Sequence, residues 1–436
     1  MTTGSSSTRA PEHARRRDHV VLTIARSVRG FGAGALSVVL ALELSYGGYS
    51  ALQIGIVLGL AMGASAAWAT LMPGRLPGLS RRVLFVLGAL AVAAGGLLLW
   101  FDVTSPWTLL PALALGGIVA GGADISPLGA LEQGSLAEVA DPGIRTRLFV
   151  LYNFSGYAGT AAGALVAGLS GRITLAPRGF PLAPHDAILL GYGLLGLVLV
   201  PIYLALSTDV LGQEEGRAFR PLSAAHRGPI LRLAGLFTVD AFGGGMIANA
   251  LVSYFLLLRF NASLDTIGYV LSLANVAAGA SLLMALPLAR RFGLINTMVF
   301  THIPSSVLLI AFAFAPTVLL AAVVWVARAT LSQMDVPTRQ SYTQAIVPKD
   351  EGASAAGITT AARSAQALGG PASGALLAAG GPWLSSPFAV AGSVKIAYDL
   401  AIYRGFRHLR PPEETMAAAT GRKSPRPVLK EPPAQR

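Results

Sequence analysis

The chain has 436 residues, 53% of them hydrophobic and 12% charged, with a mean hydropathy of +0.60. A soluble domain carries about 25% charged residues, so this composition excludes an ordinary soluble protein and points to a polytopic membrane protein. The net charge of +12 sits in short loops and tails between apolar stretches, which argues against a nucleic-acid partner, and the absence of cysteine excludes disulfides and thiolate metal sites.

Residues 1–18 are Ser/Thr-rich and then basic, and are expected to form a disordered cytosolic N-tail. They are not read as a signal peptide, because the apolar run that follows contains Arg26 and Arg29 and no small-residue cleavage site. A membrane span needs about 20 mostly apolar residues. Twelve stretches meet that rule: 19–41, 51–72, 82–101, 107–130, 148–170, 187–207, 231–258, 266–288, 295–313, 317–340, 356–379 and 387–405. The Pro-rich segment 171–186 joins spans five and six, and the polar, charged segment 208–230 joins spans six and seven. The expected organisation is therefore a bundle over 19–207, a cytosolic linker over 208–230, a second bundle over 231–405 and a disordered cytosolic C-tail over 406–436.

The two bundles are copies of one unit. Asp124 is followed 39 residues later by Gly163-Ala164-Leu165, and Asp335 is followed 39 residues later by Gly374-Ala375-Leu376. The same shift of 211 residues carries Phe31, Gly32 and Gly34 onto Phe242, Gly243 and Gly245, and Arg29 onto Asp240. A large internal duplication in an apolar chain is a transporter signature. Orientation follows from Lys and Arg: with the N-terminus inside, only Arg172, Arg178 and Arg259 fall in outer loops, so both termini are expected in the cytosol. Arg outnumbers Lys by 29 to 4 amid abundant Ala and Gly, a composition that fits a GC-rich bacterial genome and hence the bacterial inner (plasma) membrane.

Twelve spans, a six-plus-six duplication, a charged central loop and both termini on one side resemble the major facilitator superfamily of secondary transporters over residues 19–405. The loop Pro73-Gly74-Arg75-Leu76-Pro77-Gly78-Leu79-Ser80-Arg81-Arg82 keeps the glycines and arginines of that family's loop between helices two and three and lacks its acidic residue. Ala289-Arg290-Arg291-Phe292-Gly293 echoes it in the second half. The run Gly370-Pro371-x-x-Gly374 resembles a small-residue motif that the family's antiporters carry in helix five, here displaced to span eleven. The resemblance implies an all-α membrane fold of two pseudo-symmetric six-helix bundles. It also implies alternating access by rocking of the halves and a central cavity lined by helices 1, 4, 7 and 10.

A charge at mid-span costs roughly 2.5–3.5 kcal/mol on insertion scales, so a retained one should face a cavity or a partner. Arg26 and Arg29 lie in span one, Asp124 in span four, Asp240 in span seven, Arg328, Asp335 and Arg339 in span ten, and Arg363 in span eleven. Arg29 and Asp240, equivalent in the two halves, are expected to face each other across the cavity. Asp240 is then either a proton-coupling carboxylate tuned by Arg29 or one end of a permanent ion pair. Asp124 and Asp335 lie near the inner ends of their spans and suit an intracellular gate, Asp124 with Arg363 and Asp335 with Arg339 or Arg147; the alternative is hydration at a helix end. Arg328 either binds an anionic group or neutralises Asp335. Arg26, Tyr152, Asn153 and Gln333 are candidates for the cavity wall, with helix–helix hydrogen bonding as the other reading.

No P-loop, catalytic constellation, metal site or cofactor site is visible, so the chain is not read as an enzyme. The expected function is secondary active transport of a small organic solute, driven by protons, working as a monomer in the lipid bilayer, with export favoured by the span-eleven motif. The alternatives are proton-coupled uptake of an organic anion, with Arg29 and Arg328 binding it, and a non-transporting receptor or assembly protein on the same fold.

Overall fold

The computed structural model describes residues 12–71, 79–115, 118, 126–139, 145–171, 184–207, 222–348 and 351–407. Among these, the first half of the chain forms α1 (Glu12–Tyr46), α2 (Ala51–Leu71), α3 (Arg81–Asp102), α4 (Pro106–Ala114), α5 (Pro127–Val139), α6 (Arg145–Ser170) and α7 (Pro184–Leu204). The second half forms α8 (Ala224–Met246), α9 (Asn249–Phe260), α10 (Leu264–Phe292), α11 (Leu294–Ala313), α12 (Val318–Ala329), α13 (Asp335–Ala345), α14 (Gly352–Ala362), α15 (Gln366–Ala378) and α16 (Ser386–Phe406). The fold is all-α; no strand occurs among the described residues.

Local chemistry sets several of the ends. Ser80, Ser105 and Thr317 accept hydrogen bonds from the backbone N–H groups of Val83, Trp107 and Leu320 and so start α3, α4 and α12. Asn261, in the left-handed region at φ 47°, stops α9. Six helices (α1, α2, α3, α7, α10 and α11) are each long and apolar enough to cross a membrane, and α8 with α9 does so as one span bent by 42°. The remaining spans of the expected twelve correspond to the charged helices α6 and α16 and to the interrupted pairs α4–α5, α12–α13 and α14–α15.

Two boundaries differ from expectation. Helix α1 starts at Glu12, so residues 12–18 are helical rather than part of a disordered tail. The end of α7 holds them: buried Asp18 accepts from the Ser207 backbone N–H at 2.9 Å and its hydroxyl at 2.6 Å, and Arg17 donates to the Ala205 carbonyl at 2.7 Å. Helix α8 starts at Ala224, inside the expected linker, and its His226 meets Glu351 at 2.9 Å just ahead of α14. Residues 1–11, 208–221 and 408–436 lie outside the described residues.

Small residues decide how the helices meet. Within the first half, α1 packs along α6 through Gly30, Gly34, Gly159 and Gly163. Between the halves, α2 lies on α15 and α6 lies on α10. A Cβ on Gly374 would stand 2.5 Å from the Ala51 carbonyl oxygen, and one on Gly168 would stand 2.7 Å from the Gly268 Cα, so neither site has room for a side chain. The α6–α10 seam runs on from Gly168 and Gly268 to Gly279, where a Cβ would stand 3.1 Å from the Tyr157 side chain. Tyr157, which donates to Gln333 at 2.6 Å, and Ser253, which donates to the Ser37 carbonyl at 2.8 Å, also bridge the bundles. Helices α5, α13 and α14, at the face that carries the termini, pack mainly within their own halves.

The Gly370-Pro371-x-x-Gly374 run is thus the seam against Gly55 and Gly59 of α2. Gly374→Leu is expected to overpack it and lower unfolding stability by about 1–3 kcal/mol. Thermal unfolding of the purified protein in detergent measures this; unchanged stability would show that the two bundles do not meet there.

Candidate functional site

Helix breaks create the site. The α8–α9 span bends at Ile247, and α9 then starts at Asn249 with Ala248 at its N-cap and no side-chain cap. The α12–α13 pair breaks between Ala329 and Asp335, and the α14–α15 pair passes through a 3-10 turn at Arg363–Ala365. These three interruptions meet at one cavity of about 170 Å³, which the first half closes with Met62 and Ser65 of α2 and with Ile118. Interrupted backbone at membrane depth is tolerated where it lines a cavity.

The second-half wall is a lattice of charge. Asp240 of α8 is bound by Lys395 of α16 at 2.6 Å and by Arg339 of α13 at 3.2 Å. Arg339 also reaches Asp335, one turn back on its own helix, at 3.0 Å. His302 of α11 places Nδ1 2.9 Å from both carboxylate oxygens of Asp399 on α16, and Nε2 4.0 Å from Asp240. All six residues are buried.

Two further arginines line the cavity beyond ion-pair distance of any carboxylate among the described residues. Arg328, in the last turn of α12, lies over the Trp325 ring at 4.6 Å, a cation–π contact one turn back along the helix. Arg363 sits on the 3-10 turn. The buried Nε of each has no hydrogen-bond partner, and neither forms an ion pair or side-chain hydrogen bond among the described residues.

The first half carries its own buried cluster. Arg29 of α1 binds Glu132 of α5 at 2.5 and 3.1 Å and donates to Ser126 at 2.8 Å. Tyr152 of α6 and Tyr203 of α7 donate to the same carboxylate at 2.6 and 2.5 Å.

The structure therefore corrects one expectation. Arg29 and Asp240 do not pair across the cavity; each turns to the fourth span of its own half, Arg29 to Glu132 and Asp240 to Arg339. The 211-residue shift relates Arg29 to Asp240 but not their partners, since Glu132 shifts onto Thr343 and Arg339 onto Leu128. Tyr152 is buried in the Arg29 cluster, and Asn153 donates to the Phe149 carbonyl of its own helix at 2.9 Å, so both make helix hydrogen bonds rather than cavity contacts. Gln333 does line the cavity. Asp335 meets Arg339, one of the two partners expected, while Arg147 lies exposed near the start of α6. Arg26 is buried, 5.7 Å from the Tyr152 ring centre. Asp124, and with it an Asp124–Arg363 pair, lies outside the described residues. Glu132, His302, Lys395 and Asp399 are site residues that sequence reasoning missed.

Two helical bundles meet around a central cavity lined by polar and charged side chains, the architecture of a secondary transporter. The sequence profile of the Major Facilitator Superfamily matches residues 22–364 and 233–434, and the chain belongs to that family. An uncharacterized membrane protein of Saccharomyces cerevisiae, YJR124C, is 22% identical over 422 residues, covering 88% of this chain and 93% of that one. Among solved structures, the nucleoside transporter NupG aligns with a TM-score of 0.66 at 15% identity over 89% of this chain and 99% of its own. The human organic anion transporter MFSD10 aligns with a TM-score of 0.63 at 13% identity over 90% and 99%. Membership of that family supports secondary transport of a solute across a membrane by a multi-pass protein, and the solved structures share the fold.

Proposed function

We propose that the chain is a proton-coupled transporter of a small organic anion. The observation that carries this reading is the pair Arg328 and Arg363: two guanidinium groups lining the central cavity, each with an unbonded buried Nε and neither within ion-pair distance of a carboxylate among the described residues, although Asp335 lines the same cavity. An unpaired charge at membrane depth is costly, so it is retained where a ligand supplies the opposite charge. The uncapped first turn of α9 opens on the same cavity and adds backbone N–H donors and the positive end of a helix dipole. A cavity of about 170 Å³ suits a small solute, since about 150 Å³ holds a benzene ring.

Export was the expectation drawn from the span-eleven glycine motif; the packing of that motif on α2 accounts for it without reference to direction. In this reading the Arg-rich face that carries the termini faces the cytosol of a bacterial cell. A monomer is proposed as the working unit, and the Asp335–Arg339 pair, which lines the cavity, is proposed to take part in an intracellular gate.

The test is a thermal-stability panel on the purified chain in detergent, pairing carboxylates such as benzoate, citrate and glucuronate with their amides or neutral analogues at equal ionic strength. At least one anion is expected to stabilise the wild type where its neutral counterpart does not. Arg328→Gln and Arg363→Gln are each expected to weaken that binding about tenfold or more, the loss of one charge-assisted hydrogen bond. Stabilisation by neutral analogues alone would move the reading to an uncharged solute.

A further inference from the structure

We propose that His302 is the proton-binding group of this transporter, and that its proton travels with the solute anion. Three buried carboxylates, Asp240, Asp335 and Asp399, share two permanent cations, Arg339 and Lys395. Arg339 serves both Asp240 and Asp335, and Lys395 serves Asp240. Asp399 is left with His302 as its sole hydrogen-bond partner among the described residues, Nδ1 standing 2.9 Å from both oxygens. On its other side, Nε2 stands 4.0 Å from Asp240. An imidazole with a carboxylate beyond each nitrogen has use for both N–H donors, and only the imidazolium carries two. Within the directly paired groups, one proton on His302 matches three cations to three carboxylates, while Arg328 and Arg363 stand on the same cavity wall outside those pairs.

The surroundings favour this residue over its neighbours. Asp240 and Lys395 face it from α8 and α16, and Asp335 and Arg339 lie on α13 in the same cluster. The Tyr398 ring meets the imidazole edge-on at 6.1 Å. From α12, packed along α11, the nearest polar contact is the Arg328 carbonyl, which accepts from Ser305 at 3.4 Å; the charged residues of α10 lie toward its ends, at Asp265 and at Arg290–Arg291. His302 lines the cavity and so has a water path, whereas Asp399 stands behind it, fully buried.

The proton also bears on the solute. An imidazolium adds one positive charge to the wall that holds Arg328 and Arg363, so it strengthens anion binding, and by linkage a bound anion strengthens proton binding by the same factor. Proton and anion then load together and cross together, which makes the transport symport and, with an inward proton gradient, uptake. This second half rests on the anion reading above; the proton site does not.

The experiment uses the full chain with ring-15N histidine, reconstituted in phosphatidylcholine liposomes, and solid-state NMR from about pH 5 to about pH 9. The His302 signal is assigned by its loss in His302→Gln. Should that variant not fold, a chain keeping His302 as its one histidine of the six gives the same assignment. In the wild type, His302 is expected to convert between imidazolium and neutral imidazole within that range. Asp399→Asn is expected to leave it neutral throughout. Arg363→Gln, which removes a cavity cation as a bound anion would offset one, is expected to hold the imidazolium to a pH about half a unit higher or more, a roughly threefold gain in proton affinity.

A His302 that stays in one form over the whole range, or keeps its wild-type behaviour without Asp399, overturns the proton site. An Arg363→Gln titration that coincides with the wild type overturns the coupling. If His302 titrates while no anion in the stability panel binds, the anion reading alone has failed; if an anion binds and His302 does not titrate, the proton site alone has failed.

Discussion

Glu132→Ala is expected to be the most damaging single substitution in the first half of the protein. The carboxylate is fully buried and holds Arg29 at 2.5 Å together with the hydroxyls of Tyr152 and Tyr203. Its removal leaves a guanidinium and two phenols without their acceptor at membrane depth. Breaking a buried ion pair by deleting one partner costs about 3–5 kcal/mol, because the surviving charge is uncompensated. Glu132→Gln, which still accepts from the tyrosines, is expected to cost less, and the double variant Glu132→Leu/Arg29→Met less than Glu132→Ala despite removing more. Denaturation of the four proteins in one detergent gives the order. A double variant worse than Glu132→Ala would mean that the cluster stabilises the bundle outright instead of merely balancing its own charge. The cluster lies within one half and ties α1, α5, α6 and α7 through a single carboxylate.

That cluster also marks the limit of what the sequence disclosed. The duplication, the two bundles and most spans were legible, because apolar runs and a constant offset survive in one dimension. The offset aligns Arg29 with Asp240. The step from equivalent to facing failed, because in a duplicated bundle an equivalent residue finds its partner in its own copy. Glu132 was missed because the fourth span was ended at residue 130, before the charge, while α5 continues to Val139. Lys395 and Asp399 lie on the sixth span of the second half, outside helices 1, 4, 7 and 10 that the family resemblance assigns to the cavity. The signal was there: a Lys and an Asp four residues apart fall on one face of a helix that has no reason to carry charge unless it meets a partner, and His302 was the one histidine well inside a span. The cavity itself was not legible, since it depends on where α8–α9, α12–α13 and α14–α15 break in space.

Asp240→Asn is expected to be the counterpart in the second half, and its rescue tells what the lattice is for. The substitution leaves Lys395 with no carboxylate within ion-pair distance among the described residues and Arg339 with Asp335 alone. The cost is about 3–5 kcal/mol. Asp240→Asn/Lys395→Met removes both charges of the 2.6 Å pair and leaves Arg339 with Asp335 and His302 with Asp399. The double variant is therefore expected to recover much of the loss, with a coupling energy toward the upper end of the 0.5–3 kcal/mol seen for directly paired groups. Thermal unfolding in detergent measures the stability, and accumulation of an anion from the stability panel in proteoliposomes under a proton gradient measures the function. Stability is expected to return and accumulation is not, because Lys395 and Asp240 join α16 to α8 across the cavity wall and their charges must be free to re-pair when His302 gains or loses its proton. Recovery of both would reduce the Asp240–Lys395 pair to a static brace and leave the Asp399–His302 pair to act on the cavity alone.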